Sequence, residues 1–282
     1  FPTGKGRAAF ANKRISYDSC TDPADFMQLA KGYRLYDGKI AEGADLDGRR
    51  EKDDFRDAAG QSGIDNQVWR VLGCTKAFRA TSDRKVARQV LMSARAPTLI
   101  EVRGIDDPRN DPDVTVNIMA ASDALTRDGR GGPLLWSSFA TDPDPALRAT
   151  TKGRIVDGVL TTDPVDMRLN YKEQIIDAPR DLRAARIHVT FNADGSVDGR
   201  IDGYYTLASL YSSIEQMSQA GASASGISCP GVYKAIHDLA DGYADRRTGR
   251  KTAISTALGF VGIPAFAVPP EQAAATGQGA GR

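Results

Sequence analysis

The sequence has few of the residues and motifs that build recognisable catalytic sites. It holds two histidines and three cysteines in 282 residues. No CxxC, CxxCH or HExxH pattern occurs, which excludes a zinc ribbon, a covalently attached haem and a HExxH-type catalytic zinc centre. The GxGxxG and GxxxxGK[ST] patterns of nucleotide-binding folds and the GxSxG turn of many hydrolases are absent as well. The sequence therefore favours a protein that is not an enzyme.

Strong charge and long apolar runs are lacking too. The formal net charge is +1, so there is no broad basic field of the kind that nucleic-acid binding requires. The longest apolar run covers residues 257–268 and is interrupted by Gly259, Gly262 and Pro264. It is shorter than the roughly 18–20 apolar residues of a membrane helix, and we interpret it as buried core. The sequence predicts no nucleic-acid partner and no transmembrane segment.

The first residue and the cysteines bear on localisation. The chain begins with Phe1 rather than Met, which is expected if a signal peptide has been removed; a trimmed chain is the alternative. Removal of a signal peptide would place the protein in the periplasm or outside the cell. In such an oxidising compartment two of the three cysteines are expected to pair. We favour Cys20 with Cys74, because both lie in the N-terminal third, and the alternative is a bridge to Cys229.

The apolar pattern divides the chain into four regions. Residues 1–64 are predicted to form an extended, loop-rich segment, and residues 65–204 helices followed by antiparallel β structure. Residues 205–268 are predicted to be a C-terminal helical segment, and residues 269–282 a disordered tail. The predicted fold class is α+β, with a central antiparallel β-sheet or sandwich and with N-terminal and C-terminal helices.

The strand predictions rest on alternation of apolar and polar residues. Val114, Val116 and Ile118 show this period of two, and residues 134–139 and 187–191 are further strand candidates. Residues 192–195, Asn-Ala-Asp-Gly, supply the turn of a predicted hairpin. After residue 205 the apolar spacing changes to i, i+3, i+4, which predicts helices, and this helical interpretation includes the segment around Ile254.

An acidic segment is the strongest candidate for a ligand site. Ca²⁺ takes six to eight oxygen ligands from closely spaced carboxylates and amides, in loops tight enough to need glycine. The sequences DLDG at residues 45–48 and GIDNQ at residues 63–67 offer such groups, although they do not match an EF-hand. The predicted ligands are Asp45, Asp47, Asp54, Asp65 and Asn66. The alternative is a set of solvated loop acids, and the neighbouring Arg49, Arg50 and Lys52 count against a cation.

Three short motifs resemble those of a group of uncharacterised secreted bacterial proteins. They are DLDG at residues 45–48, GIDNQ at residues 63–67 and CPG at residues 229–231. The resemblance implies export from a bacterial cell. It implies no fold, substrate or catalytic residue.

Three functional hypotheses follow. The first is a non-catalytic periplasmic or extracellular subunit of a larger protein assembly, stabilised by Ca²⁺ and partnered by other protein subunits. The second is a module that binds a small ligand or a glycan, which predicts a concave site. Its candidate aromatic residues are Trp69, Trp136, Tyr204 and Tyr205. The third is a hydrolase with an unrecognised site, although we interpret His188 and His237 as structural.

Overall fold

The computed structural model describes residues 35–75, 96–172, 177–225 and 229–269. Residues 1–34 of the predicted loop-rich segment, which include Cys20, and residues 270–282 of the predicted tail lie outside the described residues.

Within these ranges the chain forms thirteen strands, three α-helices and one short 3-10 helix, which spans Pro145–Leu147. The strands are β1 Phe55–Arg56, β2 Ser62–Ile64, β3 Thr98–Arg103, β4 Asp111–Ala120, β5 Ser137–Ala140, β6 Arg148–Val156, β7 Val159–Thr162, β8 Val165–Leu169, β9 Arg180–Phe191, β10 Val197–Thr206, β11 Gly242–Ala244, β12 Lys251–Gly262 and β13 Ala265–Val268. The helices are α1 Gln67–Leu72, α2 Leu207–Ser225 and α3 Cys229–Asp238.

Nine of the strands make one antiparallel sheet in the order β11–β12–β10–β9–β7–β6–β4–β3. The ninth strand, β8, pairs with β9 beside β7, so the long strand β9 carries two partners on one side. Two smaller pairs stand apart from this sheet, the antiparallel β1–β2 and the parallel β5–β13.

The predicted α+β class with N-terminal and C-terminal helices is wrong, because the structure is mostly β-sheet, with 47% strand against 14% helix. The largest error lies in the last third, where β11, β12 and β13 follow the two helices. Ile254 and Leu258 have helical spacing, but they lie on β12. Residues 253–256 are all buried, so this stretch of β12 lacks the alternation that identifies a half-buried strand.

The two faces of the sheet differ in character. The inner face packs against the helices: Val116, Ile187 and Ile201 of the sheet share one apolar core with Leu210 of α2 and Ile236 of α3. Burial of these side chains is the main stabilising term of the fold. The outer face is not covered by these helices and carries polar side chains, which form part of the candidate site.

The N-terminal segment has a small core of its own, so it is not held by an ion alone. Tyr36, Phe55 and Ile64 are buried together with Cys74, which is disulfide-bonded. The segment is tied to the sheet at the start of α1, where the backbone N–H of Gln67 donates to the Ser255 hydroxyl at 2.9 Å. This anchoring places residues 42–47 and 63–66 at one end of the outer face.

Candidate functional site

Three of the five predicted calcium ligands come together. Carboxylate oxygens of Asp45, Asp47 and Asp65 all lie within 4.8 Å of one another. Ca²⁺–oxygen bonds measure about 2.3–2.6 Å, so two ligands on opposite sides of one ion are separated by about 5 Å. The spacing therefore fits one Ca²⁺ shared by three carboxylates.

Backbone contacts hold the two acidic segments side by side. The N–H of Asp65 donates to the carbonyl of Ala44 at 2.9 Å, and the N–H of Leu46 donates to Oδ2 of Asp65 at 2.7 Å. Gly63 permits the close approach: its φ is +82°, and a Cβ there would lie 3.0 Å from the carbonyl oxygen of Arg49. Only glycine adopts this conformation without strain.

Among the described residues, the charges that act on Asp65 are all negative. Burial, opposed by the hydrogen bond from Leu46 and helped by the charges of Asp47, Asp54 and Asp241, raises the pKa of Asp65 to about 7. Burial likewise raises the pKa of Asp241, which accepts a hydrogen bond from the Ser255 hydroxyl at 2.6 Å. A buried carboxylate among other acids favours binding of a cation, because the ion removes the repulsion.

The other two predicted ligands have different roles. Asp54 acts on Asp65 through its charge but is not among the three convergent carboxylates. Asn66 caps α1, where its side chain accepts from the N–H of Trp69 at 3.1 Å and donates to the carbonyl of Glu42 at 2.7 Å. Arg49 makes no ion pair in the described part of the chain. The Ca²⁺ assignment itself remains a prediction.

A large cleft of about 2220 Å³ extends from this cluster along the sheet. Small-molecule sites usually measure about 300–1,000 Å³, so the cleft fits an extended ligand better than a small one. The cleft is lined by β3, which is the edge strand at one end of the sheet, and by β12, which is the long strand nearest the other end. The partly buried Trp69, one of the candidate aromatic residues, lines it as well.

A polar row crosses the outer face within the cleft. The strand registers place Arg154, Thr161, His188 and Arg200 opposite one another on β6, β7, β9 and β10. The Nε of Arg200 donates to both oxygens of the fully buried Asp202, at 2.7 and 2.9 Å. His188 lies between Asp202 Oδ2, at 3.2 Å from its Nε2, and Thr161 Oγ1, at 3.3 Å from its Nδ1. These contacts link Thr161, His188 and Arg200 of the row through Asp202.

An exposed apolar patch adjoins the cleft. Its members are Leu134, Leu135, Trp136 and Phe266, with exposures of 43%, 49%, 61% and 53%. The rings of Trp136 and Phe266 are 5.9 Å apart between centroids. Phe266 also lines the cleft, so the patch and the cleft form one continuous surface.

The remaining candidate residues are separated. Tyr205 is buried in the core, whereas Tyr204 lies beside the acidic cluster, where burial and the charges of Asp65 and Asp241 raise its pKa. His237 lies on α3 and contacts the carbonyl of Tyr233 at 2.8 Å. The sequence could not assemble the polar row, since its members are spread over four strands.

Comparison with known proteins identifies no relative: no family model, no curated protein and no solved structure is significantly similar to this chain. Among the described residues, no helix has the length and apolar character needed to cross a membrane.

Proposed function

We propose that this protein is a non-catalytic subunit of a larger periplasmic or extracellular protein assembly, and that it docks to its partner through the apolar patch. The exposure of Leu134, Leu135, Trp136 and Phe266 carries the proposal. Contiguous exposed apolar surface that includes aromatic rings is typical of protein interfaces, where Trp contributes much of the binding energy.

The backbone at Trp136 supports this proposal. Its φ is +62°, a left-handed conformation that is unfavourable for a bulky side chain. A hydrogen bond from the Trp136 N–H to the carbonyl of Pro264, 2.8 Å long, holds it there. Such strain costs about 1–3 kcal/mol and is concentrated at binding sites. This conformation exposes the indole ring of Trp136 to solvent, where a partner protein can bury it.

The acidic cluster and the disulfide of Cys74 support localisation outside the cytoplasm. Disulfides persist in oxidising compartments. Calcium sites in extracellular modules are often weak, with Kd values of about 10⁻⁴–10⁻³ M, and a site of three carboxylates fits that class. We propose that Ca²⁺ at Asp45, Asp47 and Asp65 stabilises the N-terminal segment of the subunit.

Native mass spectrometry of the chain purified from its source tests the subunit proposal. The wild-type chain is expected to carry a partner protein, and the double variant Trp136→Ser, Phe266→Ser to lose it. Truncating two interface aromatic residues weakens binding by about thirtyfold or more. Val156→Ser is the matched control, because Val156 is 54% exposed and lies outside both the patch and the cleft. Retention of the partner by the double variant, or a wild-type chain without any partner, would contradict the proposal.

The cleft favours one second candidate, a module that binds an extended glycan. Its support is the polar row, which offers guanidinium, imidazole and hydroxyl groups on a rigid sheet, together with Trp69 at one end. Binding of soluble polysaccharides, lost in Trp69→Ala and retained in Trp136→Ser, would favour this candidate over the subunit.

A further inference from the structure

We propose that the partner protein inserts an extended segment into the cleft and adds it as a β-strand to the open edge of β12. This inference rests on the proposed function and specifies how the partner docks.

The hydrogen-bond pattern of β12 identifies the open groups. β12 pairs with β10 along residues 253–262, and on its other side β11 reaches only to Ala253. The N–H of Ser255 points to that second side, because it donates to Oδ1 of Asp241 at 2.8 Å. Since backbone groups alternate in an antiparallel ladder, the N–H and C=O groups of residues 257, 259 and 261 also point away from β10. In the described chain Ala257, Gly259 and Val261 have no hydrogen-bond partner on that side.

A second open edge belongs to β3, which lines the same cleft. Pro97 accepts the N–H of Ala121 at 2.9 Å, so the odd-numbered residues here bond to β4. Thr98, Ile100 and Val102 therefore point their backbone groups away from β4, and the described chain offers them no partner strand. The cleft thus presents open edges from both ends of the sheet.

The composition of the β12 edge argues for a strand as its occupant. Residues 257–262, Ala-Leu-Gly-Phe-Val-Gly, include no charged residue and no proline. Proteins usually protect open edges with Lys, Pro or bulges, because an unprotected edge pairs with another chain. Strand addition satisfies the backbone groups of the edge and leaves alternate side chains for specificity.

The surroundings define the chemistry of the partner segment. On the inner side, Ile100, Val102 and Leu258 line the cleft, and they suit apolar side chains at every second position. On the outer side Gly259 leaves open space, which gives room for larger side chains. Phe266 lines the cleft together with β12 and also contacts Trp136 of the apolar patch. A partner strand bound along β12 would therefore place the partner protein beside this patch.

The test uses the full chain in its source cells, with Gly259 replaced by the photoreactive residue p-benzoylphenylalanine. A side chain at position 259 meets open space and requires no change of the backbone. The same replacement of Val156 is the control. Irradiation is expected to yield an adduct with a different protein, at least about tenfold more abundant at position 259 than at position 156.

Amide hydrogen exchange by NMR, on the unmodified chain alone and in complex with that protein, then identifies the mode of binding. In the isolated chain the amides of Ala257, Gly259 and Val261 should exchange quickly, and the amide of Leu258, which faces β10, slowly. In the complex the first three should slow by about tenfold or more. This alternation is the signature of an added strand.

Slow exchange of the three amides in the isolated chain would overturn the inference, because the chain itself would then cover the edge. An adduct with a glycan or with a second copy of the chain would overturn it too. A protein adduct without alternating protection would overturn strand addition and leave the subunit proposal standing. Absence of a partner in both this experiment and native mass spectrometry would refute the proposed function itself.

Discussion

Replacing Asp65 by Asn should stabilise the protein in EDTA at pH 8, and Ca²⁺ should reduce this difference between the variant and the wild type. The pKa of Asp65 rises from an ordinary value of 3.8 to about 7 on folding. At 1.36 kcal/mol per pKa unit, keeping this buried side chain ionised costs the folded protein about 4 kcal/mol at pH 8. The neutral amide introduced by Asp65→Asn has no charge to desolvate, so in EDTA at pH 8 we expect this variant to be more stable by up to about 4 kcal/mol.

The pH dependence of this stability difference follows from the direction in which folding shifts the pKa of Asp65. Because the folded pKa lies above the unfolded one, the stabilising contribution of Asp65 is complete below about pH 4 and is lost as the pH rises through about 7. The difference between Asp65→Asn and the wild type should therefore vanish near pH 4. Added Ca²⁺ at a hundred times its Kd stabilises by about 2.7 kcal/mol, and only the wild type should gain this.

Urea denaturation at pH 4 and pH 8, each with EDTA and with Ca²⁺, measures these differences. Asp163→Asn is the control, because Asp163 is exposed and lies outside the acidic cluster. Equal stabilisation of the wild type and Asp65→Asn by Ca²⁺, or a destabilised Asp65→Asn in EDTA at pH 8, would refute the reasoning.

Three further changes test the structure by urea denaturation. Gly63→Ala should lower stability by about 1–3 kcal/mol more than Gly48→Ala, since both have positive φ but only Gly63 is crowded; equal losses would contradict the crowding. Asp202→Asn should cost up to about 3–5 kcal/mol, because it leaves the partly buried Arg200 guanidinium without its counter-charge, whereas the exposed Asp113→Asn should cost less than about 1 kcal/mol. Ile187→Ala, in the centre of the core, should cost about 2–5 kcal/mol, and a loss below about 1 kcal/mol would place it outside the core.

The sequence predicted the strands that are buried on one face only. Val114, Val116 and Ile118 alternate with more exposed residues in β4, as their period of two predicted. The predicted turn at residues 192–195 joins β9 to β10, with the Asn192 N–H bonded to the carbonyl of Ser196 at 2.9 Å. In these segments local chemistry and tertiary packing favour the same conformation. A single sequence is therefore sufficient to predict the strand and the turn.

Other features depend on tertiary contacts that local patterns do not encode. The strand predicted at residues 134–139 begins only at Ser137, because Leu134 to Trp136 form an exposed turn in which Trp136 has a positive φ. The two acidic motifs suggested a shared site from their composition, and the backbone pairing of Ala44 with Asp65 joins them. The polar row required the register of four strands, and no pattern within a single strand predicts that register.

The hydrogen bond between Gln67 and Ser255 has a consequence for the order of folding. It joins groups that are 188 residues apart, and Asp241, beside the acidic cluster, also depends on Ser255 for its position. Contacts this distant in sequence form late, because the loop between them must close first. A growing chain therefore cannot tie its N-terminal segment to the sheet through this bond until β12 has been synthesised. A chain that stops before β12 lacks Ser255, and with it both the anchor of the N-terminal segment and the partner of Asp241.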